Sequence, residues 1–168
     1  MNRLIVEWIK MMRKTLGEKL ILFNTANPVD HMQSLDLEAY RKLNIDYLLV
    51  QNYDKGDRYM DMVKASLAFK NLLSTSYGYL LMLPFFSVSS VKGGVSSSEV
   101  ADTLLKKGVG LADIHNGICR FVPNGSRETF FVPCYNYFRK VLGMCKGQGV
   151  GVGFWEGGNG LENYYRFL

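Results

Sequence analysis

Aromatic, amide and acidic residues follow several apolar segments of this 168-residue sequence. The closing stretch GVGVGFWEGGNG carries Trp155 and Glu156 among glycines, and the run Gln51 to Asp54 (QNYD) ends another apolar segment. Asn24 and Phe86 end two more. Aromatic faces stack on the apolar side of a pyranose, whereas amides and carboxylates bond its hydroxyl groups. For any one residue, the alternative is that a strand end simply exposes polar groups.

Four short apolar runs would position these residues, and each run is typical of a buried strand. They are LILFNT, IDYLLVQNYD, YGYLLMLPFF and GVGVGFW. Helical segments alternate with them, which predicts an α/β fold with four parallel strands and covering helices. Tyr47 to Val50 is continuously apolar, which predicts a strand covered on both faces. Because the carboxyl ends of parallel strands share one edge, we expect the polar residues to meet there.

The helices are predicted from periodicity and capping residues. The first helix has Gly17 as its cap and carries one apolar stripe, made of Leu4, Ile5, Trp8, Ile9, Met12 and Leu16. A short helix in SLDLEAYRKL has Ser34 as its candidate cap. Ser96 and Glu99 have the spacing of a capping box that opens a further helix, and GLENYYRFL is the last helix. Asn124-Gly125 predicts a small β-hairpin insertion.

Composition argues against several classes of protein. The net charge of +5 is scattered without a run of five like charges, which disfavours a nucleic-acid partner. No segment reaches the ~18 apolar residues of a membrane span. The start MNRLIVEWIKMMRK lacks the small-residue cleavage site of a signal peptide.

Metal and cofactor sites are not expected either. The three cysteines, Cys119, Cys134 and Cys145, are an odd number without a CxxC pair, and His31 and His115 are the only histidines. At most one pair of cysteines could form a disulfide. The sequence therefore predicts no metal site and no cofactor.

The sequence resembles glycoside hydrolase family 18. YLLVQNYD resembles the sixth-strand signature of that family, usually Met-x-Tyr-Asp, and GVGVGFWEGGNGLENYYRFL is similar to its eighth strand and final helix. The ending from TFFVPCYNYFRK onward resembles the branch of the family that holds chitinase-like lectins. The resemblance covers nearly the whole chain. It implies that residues 1–168 form a single half-barrel domain, strands five to eight of a (β/α)8 TIM barrel.

The resemblance also implies a substrate-binding site for N-acetylhexosamine glycans of the chitin type. Tyr53 and Asp54 would bond the sugar, and Trp155 would lie beneath it. Two positions depart from the family, because Gln51 replaces the usual Met and Phe86 replaces the usual Tyr. Asn24, at the end of the first strand, completes the candidate set.

The catalytic motif of the family, D-x-x-D-x-D-x-E, is absent from the sequence. Asp36 and Glu38 have the spacing of its end, but Ser34 and His31 stand where further acids are needed. We therefore assign no catalytic residue, and we expect the motif to lie before Met1. Without the general acid alone, the rate of hydrolysis would fall by about 10²–10⁴-fold.

Three interpretations stay open at this point. The chain is a lectin-like binding domain, a fragment of an active hydrolase, or an α/β domain without a ligand. Half a barrel has two open edges, so we expect either a homodimer or a missing N-terminal half to cover them. The family resemblance implies a secreted or lysosomal protein, although the sequence itself leaves the compartment unknown.

Overall fold

A computed structural model describes residues 3–29, 32–52, 58–83, 87–88, 109–115, 118–125, 127, 129–133 and 135–154. The helices are α1 (Arg3–Leu16), α2 (Leu37–Arg41), α3 (Tyr59–Leu73) and α4 (Tyr135–Lys146). The strands are β1 (Leu22–Thr25), β2 (Tyr47–Gln51), β3 (Gly78–Leu83), β4 (Ser87–Val88), β5 (Val109–His115), β6 (Ile118–Pro123), β7 (Phe130–Pro133) and β8 (Gly151–Phe154). These elements form two compact units. One holds α1, α2, most of α3 and a parallel sheet, and the other holds an antiparallel sheet and most of α4.

The first unit is built on a four-stranded sheet in the order β1-β2-β3-β8. β1 and β2 run parallel, as do β2 and β3, so that Leu22 lies opposite Tyr47 and Tyr47 opposite Gly78. Parallel neighbours need long crossover connections, which α2 and α3 supply. The prediction of an α/β fold with four parallel strands is confirmed.

The two faces of this sheet differ in burial. Leu48 and Val50 of β2 are fully buried, whereas Tyr47 is exposed and Leu49 is only half-buried. Tyr79 shares the face of Leu48, and its hydroxyl donates to a backbone carbonyl of α3 at 2.8 Å. The prediction that β2 is covered on both faces is therefore wrong. Successive strand residues point to opposite faces, and α3 packs on one of them.

The helix α1 forms where predicted and ends as predicted. Gly17 has φ +60°, the left-handed conformation that suits a glycine after a helix, and its N–H donates to Arg13 O at 2.9 Å. Its apolar stripe is only partly buried, because Ile9 lies in the core while Leu4 and Trp8 are exposed. At about 100° per residue, Leu4 and Trp8 lie well around the helix from Ile9.

The short helix α2 is capped by a residue other than the predicted one. Asp36 is the N-cap, and its side chain accepts a hydrogen bond from Ala39 N at 3.0 Å. Ser34 instead ends the 3-10 turn Met32–Ser34, so its prediction as the cap is wrong. Arg41 of α2 donates to the carbonyls of the last two residues of α3, at 2.7 and 3.2 Å. Those carbonyls have no partner within their own helix, and α2 thereby fixes the end of α3.

Arg13 and Asp46 connect α1 to the loops that precede β1 and β2. Asp46 Oδ2 accepts from Ile21 N at 2.7 Å and from Arg13 Nη2 at 2.6 Å. Arg13 Nη1 also donates to the carbonyls of Gly17 and Lys19, each at 3.0 Å. The backbone N–H of Ile21, followed by the Arg13 guanidinium, lowers the pKa of Asp46 below its usual value.

This contact predicts a pH-dependent loss of stability. A carboxylate whose pKa is lowered in the folded state stabilises the fold above its unfolded pKa, ~3.9 for Asp. That contribution is lost as the pH falls through the lower folded pKa. We expect Asp46→Asn to lower the urea midpoint of unfolding at pH 6, and the difference from wild type to shrink at pH 3.

Glu7→Gln is the control for the pH experiment, because the nearby Lys10 also lowers the pKa of Glu7 in an exposed i,i+3 pair. We expect this variant to shift the midpoint little at either pH, since exposed pairs contribute little. Parallel pH profiles for wild type and Asp46→Asn would contradict the assigned role of Asp46.

The second unit contains an antiparallel sheet in the order β4-β7-β6-β5. The predicted hairpin is confirmed, because β6 and β7 pair on either side of Gly125, which has φ +71°. The insertion is larger than the predicted hairpin, since β5 also pairs with β6. His115 lies opposite Ile118, so only Asn116-Gly117 separates these two strands. A second Asn-Gly dipeptide therefore signalled the missed strand.

Two predicted helices fall on parts of the chain that the structure does not describe. The helix opened by Ser96 and Glu99, and the final helix GLENYYRFL, both lie outside the described residues. They stay predictions from sequence.

Candidate functional site

One face of the parallel sheet is less covered than the other, and we call it the open face. Residues opposite one another in a parallel register project from the same side. By that register, the open face carries Leu22, Asn24, Tyr47, Leu49, Gln51, Leu80 and Met82. None of these side chains belongs to the buried core. The open face is therefore the surface of the sheet that a ligand could reach.

Two of the predicted site residues, Asn24 and Gln51, lie on this face near the carboxyl ends of β1 and β2. Asn24 is exposed and Gln51 is half-buried. Asn24 lies opposite Leu49, and Gln51 is two residues further along the neighbouring strand. Strand spacing and rise place their Cα atoms roughly 8 Å apart. Two amides at this separation offer both donors and acceptors to a ligand that lies across β1 and β2.

Glycines of β8 leave room for side chains of β3 on the open face. A Cβ at Gly151 would overlap the Leu80 side chain, and a Cβ at Gly153 would stand 2.7 Å from Met82 Sδ. At the opposite end of the sheet, a Cβ at Gly78 would overlap the Tyr47 ring. The glycine-rich sequence of β8 thus permits close approach of β3 side chains.

A buried cluster of polar side chains joins Asn27 after β1 and Asn52 after β2 to α3. Asn27 Nδ2 lies 2.9 Å from Asn52 Oδ1, 2.8 Å from Ser66 Oγ and 3.1 Å from Met62 O. Asn27 Oδ1 accepts from Val29 N at 2.9 Å. Asn52 and Ser66 are both fully buried, so these hydrogen bonds replace water that the groups have lost.

The cluster fixes the chain where the predicted site begins. Asn52 N donates to Met82 O at 2.8 Å, which continues the β2–β3 pairing by one residue beyond Gln51. Asn52 immediately precedes Tyr53 and Asp54 in the sequence. Sequence reasoning missed Asn27, because an Asn before Pro28 is typical of a surface turn and says nothing of a buried partner.

Four of the predicted site residues cannot be placed. Tyr53, Asp54, Phe86 and Trp155 lie outside the described residues. Their roles as sugar contacts stay predictions from sequence. The structure places Asn24 and Gln51 on one face of the sheet, and the hydrogen bond from Asn27 holds the side chain of Asn52.

The acidic pair rejected as a catalytic motif has structural roles. Asp36 caps α2, and Glu38 forms exposed ion pairs with Arg41 at 3.2 Å and Lys42 at 3.5 Å. Within the described ranges, no group of three or more His, Cys, Asp or Glu could hold a metal ion. Cys119 and Cys145 are buried free thiols, and burial raises the pKa of Cys145. In the same part of the chain, every helix is too short or too polar to cross a membrane.

The comparisons with known proteins add no family to this geometry. A scan against models of protein families finds no match, and a search of curated proteins finds none either.

Proposed function

We propose that this protein binds an oligosaccharide containing N-acetylhexosamine at the carboxyl ends of β1, β2, β3 and β8, and that this chain does not hydrolyse it. The observation that carries the proposal is the pair of amides, Asn24 and Gln51, on the open face of the sheet. An acetamido group has one N–H donor and one carbonyl acceptor, and a carboxamide side chain can satisfy both.

The surroundings of the two amides suit a sugar. Half-buried Leu80 and Met82 lie on the same face, so apolar ring faces could pack there while amides bond the hydroxyl groups. The sequence adds Tyr53, Asp54, Phe86 and Trp155 as further contacts by family resemblance. The hydrogen bond between Asn27 and Asn52 fixes the end of β2 beside Gln51, so a ligand contact to Gln51 would cost less ordering entropy.

In the same proposal, β1, β2, β3 and β8 are strands five to eight of a (β/α)8 barrel. In such a barrel, strands that follow one another in sequence are also neighbours in space. The order β1-β2-β3-β8 has that property when β4 to β7, which form the other sheet, are counted as an insertion. The open face would then be turned toward the barrel interior. The absence of the D-x-x-D-x-D-x-E motif from these 168 residues underlies the expectation of binding without hydrolysis.

Titration calorimetry with chitotetraose tests the proposal. We expect Asn24→Ala and Gln51→Ala each to weaken binding by about 3–10-fold, the loss of one net hydrogen bond. Asn71→Ala is the matched control, because Asn71 is also an exposed asparagine and lies on α3, and it should leave affinity unchanged.

A second sugar separates acetamido recognition from general stacking. Cellotetraose has the same ring linkage without acetamido groups, and we expect it to bind more weakly than chitotetraose. Absence of binding by both sugars at millimolar concentration would refute the proposed ligand and favour a domain without one. Release of a fluorogenic leaving group from a chitooligosaccharide, abolished by Asp54→Ala, would refute the proposed lack of hydrolysis.

A further inference from the structure

A cavity of about 340 Å³ lies where α3 ends and β3 begins, and we call it the α3 cavity. Polar side chains of six described residues line it, namely Lys70, Asn71, Ser74, Thr75, Tyr77 and Tyr79. Among these residues, Lys70 is the one with a charge at neutral pH, and none is acidic. Cavities of this size hold small molecules, and a cation among neutral hydrogen-bonding groups favours a small anion.

The side chain of Lys70 is held at the cavity by a neighbouring loop. Its Nζ donates to Gln148 O at 2.7 Å, and Gln148 lies three residues before β8. An ammonium group has three N–H donors, so this bond leaves two of them for a ligand. The bond also restrains the long lysine side chain, which lowers the entropy that would be lost when an anion binds.

Two tyrosines form walls of the cavity, and their hydroxyls donate within the fold. Tyr77 OH donates to Tyr40 O at 3.0 Å, and Tyr79 OH donates to Ser66 O at 2.8 Å. These bonds fix both rings where they line the cavity. The α3 cavity is therefore largely formed before any ligand enters it.

Ser74 has a backbone conformation that favours glycine. Its φ is +48°, and it is the only non-glycine with positive φ among the residues that the structure describes. After α1 and α4, the corresponding left-handed positions are Gly17 and Gly149, with φ +60° and +61°. A serine adopts this conformation less readily than a glycine. A serine at this place in the cavity lining indicates a use for its hydroxyl.

The carboxyl end of α3 would by itself repel an anion, because the last carbonyls of a helix carry partial negative charge. Arg41 offsets this effect. Its guanidinium donates to Leu72 O at 2.7 Å and to Leu73 O at 3.2 Å. A cation thus satisfies the two terminal carbonyls next to the cavity.

We propose that the α3 cavity binds a small molecule through a phosphate or sulfate group. The Lys70 ammonium pairs with the anion, and the Ser74 hydroxyl and the Asn71 amide donate to its oxygens. Ser74 N donates to Lys70 O at 3.4 Å, so Ser74 lies one turn beyond Lys70, close enough for both side chains to reach one tetrahedral anion. The rest of the molecule lies along the tyrosine rings. This inference does not depend on sugar binding, because the α3 cavity lies at the amino end of β3.

Titration calorimetry of the full chain at low salt tests the proposal with inorganic phosphate, glucose 6-phosphate and glucose. We expect glucose 6-phosphate to bind more tightly than inorganic phosphate, and glucose not to bind. Lys70→Gln should weaken binding of glucose 6-phosphate by about tenfold or more, because it removes a hydrogen bond to a charged group. Lys64→Gln is the matched control, since Lys64 is an exposed lysine on the same helix, and it should leave affinity unchanged.

Ser74→Gly separates binding from folding. Glycine adopts the left-handed conformation without strain, so we expect this variant to unfold at a higher urea concentration than wild type. The same variant should bind glucose 6-phosphate about 3–10-fold more weakly, because it lacks one donor. A serine with a structural role alone would not show these opposite changes.

Three results would each overturn the proposal. They are the absence of binding by either phosphate at millimolar concentration, binding of glucose as tight as that of glucose 6-phosphate, and an affinity for glucose 6-phosphate that neither Lys70→Gln nor Ser74→Gly lowers.

Discussion

Replacing Asn27 with alanine is expected to lower the free energy of unfolding by about 2–4 kcal/mol. The substitution removes the donor that approaches Asn52 Oδ1, Ser66 Oγ and Met62 O, and the acceptor for Val29 N. Asn52 and Ser66 are fully buried, so water cannot readily replace the lost partner. A buried polar group that loses its partner costs about 1–3 kcal/mol, more than the net value of the bond itself.

Thermal and urea unfolding measure this loss. For a chain of this size, ~2–4 °C of melting temperature accompanies each kcal/mol, so the midpoint should fall by about 5–15 °C. Asn24→Ala is the matched control, because Asn24 is an exposed asparagine in the same region, and its change should stay within about 0.5 kcal/mol. Equal stabilities of the two variants would show that the buried cluster contributes nothing.

Replacing Phe69 with alanine is expected to destabilise the first unit by about 3–5 kcal/mol, the range for a buried aromatic truncated to alanine. Phe69 is almost fully buried between α2 and β3. Its ring meets Tyr40 at 5.1 Å between centroids with planes at 89°, and Tyr79 at 6.5 Å with planes at 66°. Such edge-to-face contacts add to the free energy gained by burying the ring. The cavity that truncation to alanine leaves adds a further cost.

The same helix supplies the control for Phe69. Leu72 lies three residues further along α3 and is exposed, so Leu72→Ala should change stability by at most about 0.5 kcal/mol. Phe69→Leu should fall between the two, since it keeps most of the apolar volume and loses the ring contacts. A loss below about 1 kcal/mol for Phe69→Ala would contradict the assignment of Phe69 to the core.

The parallel strands were predictable from sequence because their signal is local. Each strand is a short apolar run between turn formers, and the alternation with helices specifies parallel pairing. The missed strand β5 shows the limit, because glycine and aspartate interrupt Val109–His115, and a bulge between Leu111 and Asp113 breaks its alternation. Its hairpin signal, Asn116-Gly117, was local and available.

The sequence did not predict in the same way which residues of α1 are buried, or that Asn27, Asn52 and Ser66 form a buried polar cluster. Periodicity grouped Leu4 and Trp8 with Ile9, but which part of a wide stripe faces the core depends on where α2 and the sheet lie. Asn27 and Ser66 are 39 residues apart, and no spacing rule connects them. The positions of Asn24 and Gln51 at strand ends were predictable because a strand end is recognised from the local sequence. That they share one face of the sheet follows from the register.

Side chains of β3 lie over glycines of β8, so the residue types that fit at paired positions of the two strands depend on each other. Leu80 fills the volume that a side chain at position 151 would need, and Met82 does the same for position 153. Each pair of positions, 80 with 151 and 82 with 153, therefore has room for only one large side chain. A larger residue could enter β8 during evolution or design only if its neighbour on β3 became smaller. The space above this end of the sheet is thus occupied from β3, and shortening Met82 would open it without touching the backbone of β8.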